Sequence, residues 1–143
     1  TTMAQKEGMN VLLDMSEIGA EFQITGLAGS RSFLTQKRPS ALKFMRAFVE
    51  GIHYYKTHKK ESMNIIAKYM RTNDMEAVGA TYDYFALKIV PKKPYPTLQG
   101  VKALLDLAAK ERPEACQLSP ERFLNVTLLK ELDDSGFIDR LYQ

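Results

Sequence analysis

Apolar positions recur along this chain at two periods, and the change from one to the other comes early. Before Ser32 they form short runs of strand length, Asn10-Val11-Leu12-Leu13-Asp14 and Phe22-Gln23-Ile24-Thr25-Gly26-Leu27-Ala28. Met3-Ala4-Gln5-Lys6-Glu7 ahead of them is helix-forming, and Gly8 stands where a left-handed residue would end that helix. Ile18-Gly19-Ala20-Glu21 predicts a turn between the two strands. Gly26 is tolerated in the second strand where another group approaches it closely.

From Ser32 onward the period becomes helical. A turn of helix is expected over Ser32–Gln36. Pro39 then suits a first helical turn, where its missing N–H costs nothing. Leu42, Met45, Phe48, Val49 and Ile52 follow as one stripe, with Phe48 at its centre. Met63, Ile66, Ala67 and Met70 mark a second helix. Asp74 is placed to cap a third, which carries Ala77, Val78, Tyr82, Phe85 and Ala86. Three prolines in Pro91-Lys92-Lys93-Pro94-Tyr95-Pro96 remove donors and impose an extended connection. Thr97 caps a helix bearing Leu98, Val101, Leu104, Leu105 and Ala108. Ser119-Pro120 starts a short one. Thr127–Ser135 stops at Gly136, and Phe137, Ile138 and Leu141 form a last apolar anchor. Two strands and about six helices are an odd inventory, because a two-stranded sheet is marginal alone. The strands look made for a larger sheet.

Composition narrows the class without changing the picture. With 143 residues, 45% hydrophobic and 26% charged, the chain can bury a core of its own. No apolar run approaches the roughly 20 residues that cross a bilayer, and the polar stretch Thr1–Glu7 has no signal-peptide character. The net charge of +3 comes from 20 basic and 17 acidic residues spread along the chain. Lys56–Lys60 and Lys92-Lys93 are too short for a nucleic-acid footprint and read as solvated faces.

Chemistry is sparse. There is no lysine-bearing phosphate loop, no nucleophile elbow and no zinc-protease motif. His53 and His58 fall on different helix faces, so the pair predicts no metal site. Cys116, the single cysteine, has no paired base nearby and reads as a small buried packing residue. Glu131, Asp133 and Asp134 read as a solvated helix end. The residues themselves point to no enzyme, cofactor or metal.

Five segments resemble one family in order. Gly8-Met9-Asn10-Val11-Leu12-Leu13-Asp14 is similar to a strand of the nitrate/sulfonate/taurine-type substrate-binding proteins of ABC importers. Thr25-Gly26-Leu27-Ala28-Gly29-Ser30-Arg31-Ser32-Phe33-Leu34 resembles their returning strand and the turn after it. Arg38 to Ile52 is similar to their next helix, with Arg38 where asparagine is usual. Lys60-Glu61-Ser62 with Ile65-Ile66-Ala67-Lys68-Tyr69 matches the following one. Ser135-Gly136-Phe137-Ile138-Asp139 resembles their closing segment.

The resemblance implies an α/β but mostly helical chain, part of a type II periplasmic-binding-protein fold. Residues 1–22 would end the second lobe and cross over, and 23–143 would return to the first lobe as a strand and helices. It further implies a C-terminal fragment of a periplasmic or extracellular solute-binding component, membrane-associated through its transporter permease. Its ligand would be a small solute, anionic, sulfonate-like or pyrimidine-like. Phe22, Gln23, Thr25 and Gly26 lie on the crossing segment and offer an aromatic face, two hydrogen-bonding side chains and an approachable backbone. Ordinary strand pairing is the competing role for these four. Arg31 either faces an anion or caps a surface turn. Open strand edges also predict self-association of the fragment. The alternative is a small helical interaction or scaffold protein without a ligand. An enzyme akin to the pyrimidine-precursor synthases is a third possibility, disfavoured by the scarcity of histidine near the crossing strands.

Overall fold

The computed structural model describes residues 4–5, 7–13, 19, 21–23 and 25–143. They are mostly helical. From Arg31 onward, where every residue is described, seven α-helices follow in order: α1 (Arg31–Gln36), α2 (Arg38–Thr57), α3 (Lys59–Met70), α4 (Met75–Tyr84), α5 (Leu98–Ala108), α6 (Thr127–Asp134) and α7 (Phe137–Leu141). A π-helical turn, Phe85–Ile89, continues α4, and two 3-10 turns, Pro113–Gln117 and Pro120–Phe123, follow α5.

The boundaries follow from local chemistry. Ser30 caps α1 by accepting from the Phe33 N–H, Asp74 caps α4 through Ala77, and Thr97 caps α5 through Gly100. Pro39 stands in the first turn of α2. At the other ends, Gly136 takes φ +70° after α6, and Gly8 takes φ +83°. The Gly8 N–H donates to the Gln5 carbonyl and the Met9 N–H to the Ala4 carbonyl, the paired bonds of a left-handed helix stop. Pro91–Pro96 is irregular, as three prolines dictate.

The expected strands are not formed. No strand occurs among the described residues, so the β part of the α/β expectation has no counterpart there. Val11, Leu12 and Leu13 are all exposed, Leu12 to 95%, and so are Phe22 and Leu27. A strand needs a neighbouring strand for its backbone groups and its apolar face, and none is formed among the described residues. Asp14 and Ile24, one in each expected strand, lie outside the described residues, as do Ile18 and Ala20 of the expected turn.

The chain forms two compact units. The first comprises Thr1–Asp14, Arg46–Pro94 and Gly136–Gln143. In it α3 packs on α4, and Val49, Ile52, Ala67, Val78, Tyr82, Ala86 and Ile138 are buried. Two residues seven apart on α2 receive the C-terminal segment: the Arg46 guanidinium lies 4.2 Å over the Phe137 ring, and His53 meets Tyr142 edge-on at 4.9 Å. The second unit comprises Met15–Met45 and Tyr95–Ser135. There α5 packs against both 3-10 turns, and Ala41, Val101, Ala115, Leu128, Leu129 and Leu132 are buried. The position between residues 22 and 23, where a boundary is expected, falls inside this unit's first segment.

Three packing expectations change. Phe48 is exposed to 38% while Val49 is fully buried, so the α2 stripe runs through Ala41, Val49 and Ile52. Cys116 is exposed and its neighbour Ala115 is buried; the thiol donates to the Pro113 carbonyl at 2.9 Å. The carboxylates around α6 are ties: Glu131 pairs with Arg38 at 2.6 Å, Asp133 accepts from the Tyr95 hydroxyl at 2.9 Å, and Asp134 pairs with Lys130.

Candidate functional site

Gln23 makes two hydrogen bonds. Its side-chain amide donates to the Thr25 carbonyl at 2.5 Å. Its main-chain N–H donates to the Gly100 carbonyl at 3.4 Å, in the first turn of α5. Gly100 is buried, and a Cβ there would stand 3.2 Å from Gln23 N and 2.9 Å from the Thr97 hydroxyl. A glycine is therefore needed for the close approach. Phe22, Thr25 and Gly26 are exposed beside it. The four expected residues thus lie on one short segment of the second unit, with Gln23 half-buried. Arg31 donates to the Arg122 carbonyl at 3.4 Å, the turn-holding role rather than a free cation.

A second place with chemical potential lies in the first unit, where α4 ends. Pro91 lacks the N–H that would extend the helix and biases Val90 to extended geometry, which it adopts at φ −83°, ψ 111°. The Val90 N–H then reaches back five residues to the Phe85 carbonyl at 2.8 Å, and the last turn widens into a π turn. This leaves end carbonyls that the helix cannot satisfy. Lys56, in the last turn of α2, satisfies two of them: its ammonium donates to the Ala86 carbonyl and, at 2.7 Å, to the Val90 carbonyl. The favour is returned at the end of α2, where the Tyr82 hydroxyl donates to the Tyr55 carbonyl at 2.8 Å and the Ser62 hydroxyl donates to the same oxygen at 3.3 Å.

An open depression of about 410 Å³ lies at this turn. Lys56, Lys88 and Lys92 line it together with Leu87, Ile89 and Val90, and no carboxylate does among the described residues. Burial pushes the Lys56 ammonium below the usual lysine range, and the nearby charge of Lys92 pushes it the same way. Lys92 sits 4.5 Å over the Tyr142 ring and Lys88 5.7 Å over the Tyr84 ring. The neighbouring cations are spoken for: Lys93 pairs with Asp139 and Lys59 with Asp83. The two basic clusters are therefore not plain solvated faces. Their sequence signal is Lys56 itself, four residues beyond Ile52 on the buried stripe, where a cation requires acceptors from another element.

The histidines serve packing. His53 meets Tyr142, and His58 stacks on Tyr54 at 4.1 Å. No helix among the described residues is long and apolar enough to cross a membrane. No family model, curated protein or solved structure matches the chain.

Proposed function

We propose that this chain is the C-terminal part of the solute-binding component of a bacterial ABC importer of the nitrate/sulfonate/taurine type. In this reading the protein works in the periplasm or at the cell exterior and delivers a small solute to a membrane permease. It performs no bond chemistry; two α/β lobes close around the solute and exclude water. The solute is anionic, sulfonate-like or pyrimidine-like. Phe22, Gln23, Thr25 and Gly26 contribute an aromatic face, an amide, a hydroxyl and open backbone to the cleft, and residues 23–143 belong to the first lobe.

One observation carries the proposal beyond the five family-like segments. Val11, Leu12, Leu13, Phe22 and Leu27 are apolar side chains outside any helix or strand, and all are exposed. Such residues fit strands whose sheet lies in a preceding lobe, because burying them there recovers the apolar contacts they lack here. The experiment is to sequence the gene upstream of Thr1. An in-frame α/β lobe behind an export signal is expected. A stop codon directly before Thr1 rejects the proposal.

A second reading, a small helical interaction or scaffold protein without a ligand, draws on the absence of strand among the described residues. The same sequencing separates the two.

A further inference from the structure

We propose that the lysine-lined depression at the π-helical turn is a binding site for a phosphate group. The inference is independent of the importer reading, because it concerns a different segment and needs no second lobe.

Three lysines line the depression, and no carboxylate lines it among the described residues. Lys56 and Lys92 are close enough for the charge of one to disfavour that of the other. Two cations held together without a counter-ion cost energy, and an anion seated between them removes that cost. Elsewhere on the chain the same problem is solved internally, as Lys59 with Asp83 and Lys93 with Asp139 show. At this turn it is not.

Geometry sets the class of anion. The Lys56 ammonium is anchored by the Ala86 and Val90 carbonyls, which leaves one of its three N–H groups for a ligand. Lys92 is held over the Tyr142 ring, and Lys88 approaches along the turn over Tyr84. Three lysines from α2, the π turn and the segment after it line one depression, and such flexible point-charge donors suit a tetrahedral oxyanion with several acceptor oxygens. Leu87, exposed to 79%, and Ile89 beside it offer an apolar wall to the carbon part of a phosphate ester. That ester is either a soluble metabolite or a lipid headgroup.

The test uses inorganic phosphate at constant ionic strength, followed by amide chemical shifts of the whole chain. Saturable shifts confined to Lys56 and residues 86–92 are expected, with a Kd on the order of 1 mM. The variant Lys92→Gln should bind roughly tenfold more weakly. Lys102→Gln, which alters net charge equally but removes a cation paired with Asp106 on α5, should bind as the parent does. Sedimentation with phosphatidylglycerol vesicles then assigns the source: Lys92-dependent pelleting identifies a lipid headgroup, and its absence a soluble ester. Shifts that stay linear with phosphate, or that spread over lysines generally, overturn the proposal. So does equal affinity of parent and Lys92→Gln.

Discussion

Gln23 lies against Gly100: its main-chain N–H donates to the Gly100 carbonyl, and a Cβ on Gly100 would stand 3.2 Å from that nitrogen. The same Cβ would meet the Thr97 hydroxyl at 2.9 Å, and that hydroxyl caps α5. Gly100→Ala therefore sets helix propensity, which favours alanine by about 1 kcal/mol, against a displaced cap and a displaced segment. A net loss of about 1–2 kcal/mol is expected from overpacking. Urea denaturation reads it, and a more stable variant would show that Gln23 does not rest there.

The α2 helix offers a sharper comparison. Val49 is fully buried and Phe48 is exposed to 38%. Val49→Ala should cost about 2–3 kcal/mol. Phe48→Ala should cost less than half of that, although it removes a larger side chain. Thermal unfolding of the two variants decides the helix phase.

Tyr142 carries a buried hydroxyl that has no hydrogen-bond partner among the described residues. Burial also raises its pKa from 10.0. Tyr142→Phe keeps the ring contacts with His53 and Lys92 and should stabilise the chain by about 1 kcal/mol at neutral pH. The alkaline limb follows from linkage. A phenol whose folded pKa is raised holds its proton longer when folded, so its contribution is complete below about pH 10 and is lost as pH rises through the folded value. Tyr142→Phe should therefore lose stability less steeply above pH 10. An unchanged alkaline slope would remove Tyr142 from this account.

The exposed side chains Leu12 and Leu27 predict that the isolated chain self-associates. Light scattering should show oligomers that grow with concentration, and Leu12→Lys with Leu27→Lys should shift them toward monomer. A concentration-independent monomer would argue against unmet strand partners.

What the sequence revealed depends on how far each interaction reaches. Asp74, Thr97 and Gly136 act within three or four residues, so their roles are visible in the order of amino acids. The α2 face was legible to within about one position, since a step of 100° separates Phe48 from Val49 and apolarity does not distinguish them. The lysine that caps the π turn was not legible, because Lys56 meets carbonyls some thirty residues away. Strand pairing is more distant still. Val11–Leu13 and Phe22–Ala28 have the composition of strands, yet only a partner makes them so. The bonds that Gln23 makes to Thr25 and to Gly100 were not legible.

The central claim is that this chain is one part of a two-lobed receptor, and calorimetry tests it most directly. Lys92→Gln serves as the background throughout, so that the lysine-lined depression adds little heat. The 143-residue chain should bind neither an alkylsulfonate nor an aminopyrimidine tightly, because one lobe leaves the solute half solvated. The longer chain read from the gene should bind one of them, and Gln23→Ala and Thr25→Val should each weaken it about tenfold without lowering the unliganded melting temperature appreciably. Tight binding by the 143-residue chain alone, or binding of neither solute by the longer chain, would contradict the account.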